Sequence, residues 1–230
     1  MKQLLYVGSS WAVKSFAETD DATDTSIEQE CNLKSKAYVT KLCQNGTSNL
    51  DMLDKVKRFG FLKYGIVWLY CEPILDIERL GICTREEFLT SPNSWELRSI
   101  ANKRILQEMN NLNMPIALIG AHSDVIDCDY ENITVINNSW QSFLLDSLNY
   151  DYVGADRIVQ GWGAEVAHRW MAQLGVSPTK ELTDKIIEIF RRWSLLIKED
   201  LFWEVHPTSK ATKLFAKEIE KPLYEWIDNL

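Results

Sequence analysis

The sequence lacks a long apolar run. No stretch approaches the roughly 20 apolar residues that cross a membrane, so no membrane-spanning helix is predicted. The first residues resemble the start of a signal peptide, but the apolar stretch Leu4–Val7 is too short and leads into Gly8 without a small-residue cleavage site. We therefore interpret this stretch as a buried strand and expect a cytoplasmic protein with no membrane partner.

Paired cysteines and clustered metal ligands are also missing. The five cysteines are scattered and form no Cys-x-x-Cys motif, and the chain has only three histidines. Such a set supports neither a disulfide scaffold nor a zinc site, and it fits a reducing compartment best. We expect a protein that needs no metal ion and no cofactor.

Basic runs and phosphate-binding loops are absent as well. The formal net charge is -8, from 33 acidic and 25 basic residues, and no Lys/Arg-rich segment stands out. Proteins that bind nucleic-acid backbones usually carry such a segment, so we expect no nucleic-acid partner. There is no Gly-x-x-x-x-Gly-Lys loop either, which argues against a phosphate-handling enzyme.

Short apolar runs are present, and they predict the sheet. Leu4–Val7, Gly65–Tyr70 and Pro115–Ile119 are unbroken rather than alternating, as expected for strands that are covered on both faces in a parallel sheet. Ile133–Ile136 is a weaker fourth run. We expect the first three runs in the interior of the sheet, with helices on both of its faces.

Helical patterns lie between these runs. Ser48-Asn49 can cap a helix that continues to Phe59, and Glu96–Leu112 carries apolar residues at helical spacing. Strand and helix therefore alternate. This alternation predicts an α/β fold, a three-layer αβα sandwich around a mainly parallel sheet of four or five strands.

The chain is predicted to form one domain over 1–230. No linker, repeat or low-complexity tract divides it, although the pattern becomes helix-rich from about residue 150. The last helix is expected over Ser209–Leu230, where Pro222 should kink or divide it.

Polar and titratable residues follow the predicted strands at the points where the strands end. Ser10 follows the first interior strand, Glu72 the second and His122 the third. In open α/β sheets, ligands bind at the carboxyl ends of the strands, so these residues are candidates for a site. Strand ends also need turn and capping residues, and that plainer role stays open for each of them.

The ordered motifs at these strand ends resemble the SGNH (GDSL-like) hydrolase family, in a divergent form similar to its phage-encoded members. Gly-Ser-Ser-Trp-Ala at Gly8–Ala12 resembles the first block, with Ser10 in the position of the nucleophile. Asn45–Asn49 resembles the second block, in which the N–H of Gly46 would help to bind the oxyanion. The strand that ends before Glu72 takes the place of the third block.

The last block of the family is matched near the end of the chain. Val205–Thr208 precedes a predicted helix, and the resemblance implies that His206 is the general base for Ser10. A serine hydroxyl is a poor nucleophile unless a base takes its proton and donors stabilise the oxyanion. By order and spacing the resemblance covers essentially the whole chain, and it implies an SGNH/flavodoxin-like fold. A plain turn serine and an uninvolved surface histidine remain the alternatives.

Three positions depart from the family pattern. Ser9 stands where the first block has Asp, and Trp203 stands where a carboxylate usually orients the histidine. Glu72 replaces the oxyanion-binding Asn, and an ionised carboxylate there would repel a developing oxyanion unless it were protonated or turned away. Asn49 could supply an amide instead, and a role as helix cap is equally open.

Two further groups are weaker candidates. His122 could position a substrate or form hydrogen bonds within its loop. It could also bind a metal ion together with Asp124 and His206, but these three residues have no recognisable metal-ligand spacing. Trp162, near His168, could offer a platform to a sugar or simply pack under the C-terminal helices.

Two hypotheses of function follow. The first is a hydrolase that cleaves an acyl ester of a small molecule or an O-acetylated carbohydrate through Ser10 and His206. The carbohydrate part rests on the resemblance and on the nine tryptophans alone. The second is a catalytically degenerate binding or structural module of the same fold, a virion component in case the chain is phage-encoded. An oligomer is compatible with both hypotheses, and the activation of Ser10 discriminates between them.

Overall fold

The structure is a computed structural model of the chain. This structure describes residues 2–9, 12, 26–59, 65–121, 125, 128–148, 171–172, 175–177, 179–184, 196, 199–203 and 206–230. Most of the helix-rich part predicted from about residue 150 therefore lies outside the described residues, and the single-domain boundary stays a prediction. Within the described part, no helix is long and apolar enough to cross a membrane.

A five-stranded parallel sheet forms the centre of the molecule. Its spatial order is β2-β1-β3-β4-β5, and every neighbouring pair is parallel. This is the doubly wound, flavodoxin-like order, in which the direction of winding reverses between β1 and β3. The predicted α/β fold is confirmed, and the three unbroken apolar runs form the interior strands. The strands are β1 (Lys2–Gly8), β2 (Ala37–Cys43), β3 (Gly65–Tyr70), β4 (Ile116–Gly120) and β5 (Ile133–Asn137).

Helices cover both faces of this sheet. One face packs against α1 (Ile27–Glu30), α5 (Trp140–Ser147) and α6 (Ser209–Asp228). The other face packs against α2 (Asn49–Phe59) and α4 (Ser94–Asn110). Two separate apolar clusters, one on each face, give the three layers that the alternation predicted. The described elements are completed by a short helix, α3 (Arg85–Thr90), two 3₁₀ helices (Leu33–Ser35 and Pro73–Leu75), and a small hairpin of β6 (Phe202–Trp203) and β7 (His206–Pro207).

Strand β3 shows why the interior strands are unbroken apolar runs. Val67 and Leu69 point into the cluster with α1, α5 and α6, whereas Ile66, Trp68 and Tyr70 point into the cluster with α2 and α4. All of these side chains are at most 2% exposed. Successive side chains of a strand alternate between its faces, so a strand covered on both faces needs apolar residues throughout.

The edge strand β2 carries no comparable signal, and no strand was predicted there. Among the described strands it pairs with β1 alone, and most of its side chains are partly exposed. Lys41 extends from it to the buried carboxylate of Glu28, with 2.5 Å between Nζ and Oε2. Charged residues on an edge strand hinder pairing with another chain, and they also remove the apolar pattern by which a strand is found.

The last helix runs unbroken from Ser209 to Asp228. The expectation that Pro222 would divide it is therefore wrong. The C-terminal end of this helix lies at the amino end of β1, because Lys2 Nζ donates hydrogen bonds to the carbonyl oxygens of Ile227 and Asp228, each at 2.6 Å. The helix therefore runs antiparallel to the strands. Its N-terminus is directed to the carboxyl edge of the sheet, where ligands bind in this class of fold.

Candidate functional site

A tight turn follows β1 at the carboxyl edge. The N–H of Ala12 donates to the carbonyl oxygen of Ser9 at 3.0 Å. A Cβ added to Gly8 would lie 2.6 Å from the Cβ of Ala12 and 3.0 Å from that of Leu69, so the turn needs glycine at this position. Ser10 itself lies outside the described residues, and its role as nucleophile stays a prediction.

The loop after β2 brings Gly46 to the same edge. The amide of Gln44 still donates to the carbonyl of Gly8, at 3.2 Å, and the chain then turns through Gly46 at φ 68°. This left-handed conformation favours glycine. Among the described residues, no group accepts a hydrogen bond from the N–H of Gly46, which leaves this amide compatible with the predicted oxyanion contact.

The amides of Asn49, Leu50 and Asp51, in the first turn of α2, are occupied. The carboxylate of Asp76 accepts from the N–H of Asn49 at 3.0 Å and from that of Leu50 at 3.1 Å. The hydroxyl of Ser48 accepts from the N–H of Asp51 at 3.2 Å, so Ser48 caps the helix. The helix N-terminus therefore offers a ligand no amide from these positions, and Asn49 is not the cap.

Asp76 is a residue that sequence reasoning missed. It is fully buried, and burial raises the pKa of its carboxyl group, while the hydrogen bonds from Ser48, Leu50 and Asn49 act in the opposite direction. No motif marked it, because it lies in the loop after β3 and reaches α2 only through the tertiary fold. An isolated acidic residue in a loop is ordinarily exposed.

The side chain of Asn49 links α2 to the end of β3. Its Oδ1 accepts from the N–H of Cys71 at 2.9 Å, and its Nδ2 donates to the carbonyl of Cys71 at 3.0 Å. The indole N–H of Trp68 donates to the same Oδ1 at 3.4 Å. The side-chain amide of Asn49 thus bonds the N–H and the carbonyl of Cys71, as the backbone of a neighbouring strand would. Its predicted contact with an oxyanion stays a prediction.

Glu72 forms an ion pair with Arg98 instead of pointing alone into the site. Arg98 Nε lies 3.1 Å from Oε1, and Nη2 lies 2.6 Å from Oε2, a bidentate arrangement. The side chains are 17% and 26% exposed. The guanidinium compensates the charge that would otherwise repel an oxyanion. An ionised carboxylate only accepts hydrogen bonds, so Glu72 cannot replace the donor of the family's Asn.

Cys71 is one of the thiols at this edge, with Cys43 at the end of β2, and its protonation excludes it as a nucleophile near neutral pH. Burial raises its pKa to about 12, and hydrogen bonds from Ser9 oppose this only in part. The thiolate is the reactive form of cysteine, and at pH 7 this group remains a thiol.

His206 lies in β7, opposite Trp203 in the small hairpin. It is half-buried, and burial lowers its pKa from 6.5 to about 4. The imidazole is therefore uncharged at neutral pH and able to accept a proton. The side chain of Trp203 lies outside the described residues. Its position therefore does not show which group orients the imidazole of His206.

The position of His206 follows from the helix that begins just after it. Thr208 caps α6, with its hydroxyl accepting from the N–H of Ala211 at 3.4 Å. Phe215 of α6 stacks on Trp140, at 4.7 Å between ring centroids. Trp140 opens α5 directly after β5, at the carboxyl edge. His206 thus lies at the end of the sheet that also carries Gly8 and Gly46.

Several predicted candidates lie outside the described residues. These are Ser10, His122, Asp124, Trp162 and His168, and their interpretations stay predictions. Among the residues that the structure does describe, no three His, Cys, Asp or Glu side chains come together in a way that could hold a metal ion.

Comparisons with known proteins give limited similarity. No family model matches the chain, and no curated protein matches it. It is similar to the solved structure of protein YXIM from Bacillus subtilis, with 9% identity and a TM-score of 0.42 over 98% of this chain and 57% of that one. It is also similar to a “putative GDSL-like lipase” from Parabacteroides merdae, with 12% identity and a TM-score of 0.31 over 85% of this chain and 96% of that one.

These similarities do not extend to chemistry. The chain spans little more than half the length of the Bacillus protein, at 57%. Both TM-scores lie below the level at which a shared fold would follow from them, so the fold assignment rests on the strand order and direction in this chain. The phage connection that the motifs suggested stays a prediction.

Proposed function

We propose that this chain is an SGNH-type serine hydrolase that cleaves an acyl ester, with Ser10 as nucleophile and His206 as general base. The observation that carries the proposal is the convergence of the two ends of the chain. The antiparallel course of α6 directs His206 to the carboxyl edge of the sheet, where the strand that precedes Ser10 ends. In a doubly wound sheet this edge is the position of ligand sites.

The protonation state of His206 suits the base of such a reaction. With its pKa lowered to about 4, the imidazole is neutral at pH 7, and it is also a weaker base than a free imidazole, which slows the proton transfer. It accepts the proton of the Ser10 hydroxyl while the oxygen attacks the ester carbonyl, and returns the proton to the alcohol when the C–O bond breaks. Water, deprotonated by His206, then attacks the acyl-serine, and His206 returns that proton to Ser10 Oγ as the C–O bond to serine breaks and the carboxylic acid is released.

The oxyanion of this reaction is stabilised by the N–H of Gly46. The left-handed turn at φ 68° presents this amide in the loop beside the Gly8 turn, and the first amides of α2 are already occupied. Preorganised amide donors are among the most effective stabilisers of a tetrahedral intermediate. A single amide gives weaker stabilisation than an intact set, so we expect slow turnover.

A narrower form of the proposal concerns the substrate, which would be a small-molecule ester or an O-acetylated carbohydrate. The support for a sugar is the number of tryptophans, nine in the chain. In this form the ester substrate is the binding partner of the protein, and the reaction uses no cofactor and no metal ion.

The alternative is a catalytically degenerate binding or structural module of the same fold, virion-associated in a phage. One observation favours it, the replacement of the third-block amide by Glu72, which is paired with Arg98. A carboxylate at that position supplies no donor to an oxyanion. The two proposals differ in whether Ser10 is activated.

A fluorophosphonate probe tests that difference. The purified chain should be labelled covalently, and peptide mapping should locate the label on Ser10. Ser10→Ala should abolish labelling, whereas Ser9→Ala, one residue away in the same turn, should keep it. Absence of labelling and of aryl-ester hydrolysis in the folded wild type would overturn the hydrolase proposal and favour the degenerate module.

A further inference from the structure

The loop after β3 is joined to the first turn of α2 by two reciprocal sets of hydrogen bonds. In one direction, the carboxylate of Asp76 accepts from the amides of Asn49 and Leu50, at 3.0 and 3.1 Å. In the other, the Asn49 side chain bonds both backbone groups of Cys71, at 2.9 and 3.0 Å. The loop therefore holds the helix, and the helix holds the loop.

The carboxylate in this link is unusual because it is fully buried. Burying a carboxylate is costly unless strong donors surround it. The amides at the N-terminus of α2 are such donors, because they have no partner within the helix and lie at the positive end of its dipole. Removing the carboxylate leaves the amides of Asn49 and Leu50 buried without an acceptor, so the first turn of α2 would have to move.

That first turn directly follows the loop that carries Gly46. Gly46 itself is exposed, and a Cβ added there would meet nothing within 4 Å. The loop is held by the amide of Gln44 on Gly8, by the hydroxyl of Thr47, which donates to the carbonyl of Gln44 at 2.7 Å, and by the bonds of Asn49 to Asp76 and Cys71.

We propose that Asp76 is a positioning residue of the hydrolase site, which holds the Gly46 amide at the place where the oxyanion forms. This inference rests on the proposed function. The contact of the Asp76 carboxylate with the amides of α2 then affects the rate of the reaction, although Asp76 touches neither the substrate nor the reacting atoms. The distance from the Gly46 amide to the oxyanion depends on where the first turn of α2 lies, and Asp76 fixes this turn together with the bonds between Asn49 and Cys71.

An effect on positioning has a recognisable kinetic form. The oxyanion develops in the transition state, so a displaced amide lowers kcat while KM changes little. A displacement of about 1 Å can cost on the order of 100-fold in rate. A purely structural role would lower the amount of folded protein and leave the rate of each active molecule unchanged.

Asp76→Asn is the test, because it keeps the shape and removes the charge and one of the two acceptors. Rates are measured on an aryl ester and expressed per site titrated with the fluorophosphonate probe, so that unfolded protein does not count. We expect kcat to fall about 10- to 100-fold with KM within about twofold. Asp76→Glu keeps both acceptors but displaces them by one methylene group, so it should show a smaller fall in kcat, again with KM nearly unchanged.

Asp54→Asn is the matched control. Asp54 lies on the same helix but is exposed, paired with Arg79 at 2.6 Å, and its replacement should leave kcat unchanged. If Asp76→Asn does not fold, Asp76→Glu decides, since a normal kcat with lower stability would overturn the inference. Normal kcat per titrated site in Asp76→Asn also overturns it. A wild type that neither labels nor hydrolyses overturns the proposed function instead, and this inference with it.

Discussion

The N-termini of α2 and α6 lie at the same edge of the sheet but are held in different ways. At α2, the amides donate to the fully buried carboxylate of Asp76, which comes from a distant loop. At α6, the cap is the neutral hydroxyl of Thr208, which donates its own hydrogen to the carbonyl of Asp200 at 2.8 Å. Both termini have a hydroxyl cap, Ser48 at α2 and Thr208 at α6, but α2 is held in addition by a charged group from another part of the chain.

The same difference extends to the titratable side chains beside each terminus. Near α2, Glu72 and Arg98 form a partly buried ion pair. Near α6, burial keeps His206 uncharged at neutral pH. In the proposed reaction these properties are complementary, since the α2 side holds fixed donors in place and the α6 side carries the group whose charge must change. Changes on the two sides should therefore differ in kind.

The largest effect is expected for the reacting pair. Ser10→Ala and His206→Ala should each lower aryl-ester hydrolysis at least about 10³-fold, because each removes one member of a unit that acts together. The double variant should be little worse than either single variant. Steady-state rates, with thermal unfolding to verify the fold, measure this. Hydrolysis that survives Ser10→Ala would show that the activity belongs to another site or a contaminant.

The uncharged state of His206 predicts a pH dependence of stability. Its pKa is about 4 in the folded protein against 6.5 in the unfolded chain, so between these values the unfolded chain binds the proton first. Stability from this group is therefore complete above pH 6.5 and falls as the pH is lowered towards 4. The loss is on the order of 3 kcal/mol. His206→Asn should lack this part of the pH dependence in urea unfolding between pH 7 and pH 4.5.

Catalysis should follow the same pKa. The acid limb of kcat/KM, which reports the free enzyme, should lie near pH 4 rather than near pH 6.5. A limb near 6.5 would contradict the buried, uncharged imidazole and place His206 in water. A rate profile from pH 3.5 to pH 8 in one buffer series at constant ionic strength is sufficient.

On the α2 side, the ion pair predicts a smaller effect, on stability. Glu72→Gln should lower the free energy of unfolding by about 1–3 kcal/mol, because it replaces a charged, bidentate acceptor of the partly buried Arg98 guanidinium by a neutral amide. Glu108→Gln is the control. Glu108 pairs with Lys57 at 3.0 Å with both side chains 43–44% exposed, and its loss should change stability by less than about 1 kcal/mol. Equal losses in urea unfolding would remove the distinction between the two pairs.

The smallest effect is expected at the neutral cap of α6. Thr208→Ala should cost about 1 kcal/mol of stability, a usual value for the loss of a helix cap. Thr208→Ser keeps the hydroxyl that accepts from the N–H of Ala211 and should retain most of it. Thermal unfolding measures both variants. A cost well above that of Asp76→Asn would reverse the comparison between the two termini.

The elements predicted from the sequence were those with strong local patterns. The unbroken runs that became β1, β3 and β4 are buried on both faces, and α2 shows its apolar spacing and its Ser48 cap directly in the sequence. The edge strand β2 was missed because it is partly exposed and carries Lys41. Pro222 was expected to kink or divide the last helix, yet the helix continues through it.

The sequence alone determined the class of fold and the order of the candidate residues, because a strand buried on both faces and an amphipathic helix each leave a local pattern of apolar residues. Three properties were decided only by the tertiary structure. They are the contact of Asp76 with the amides of α2, the pairing of Glu72 with Arg98, and the lowered pKa of His206. Each depends on which groups meet across the fold and on how much water reaches them, and no local pattern of residues encodes either.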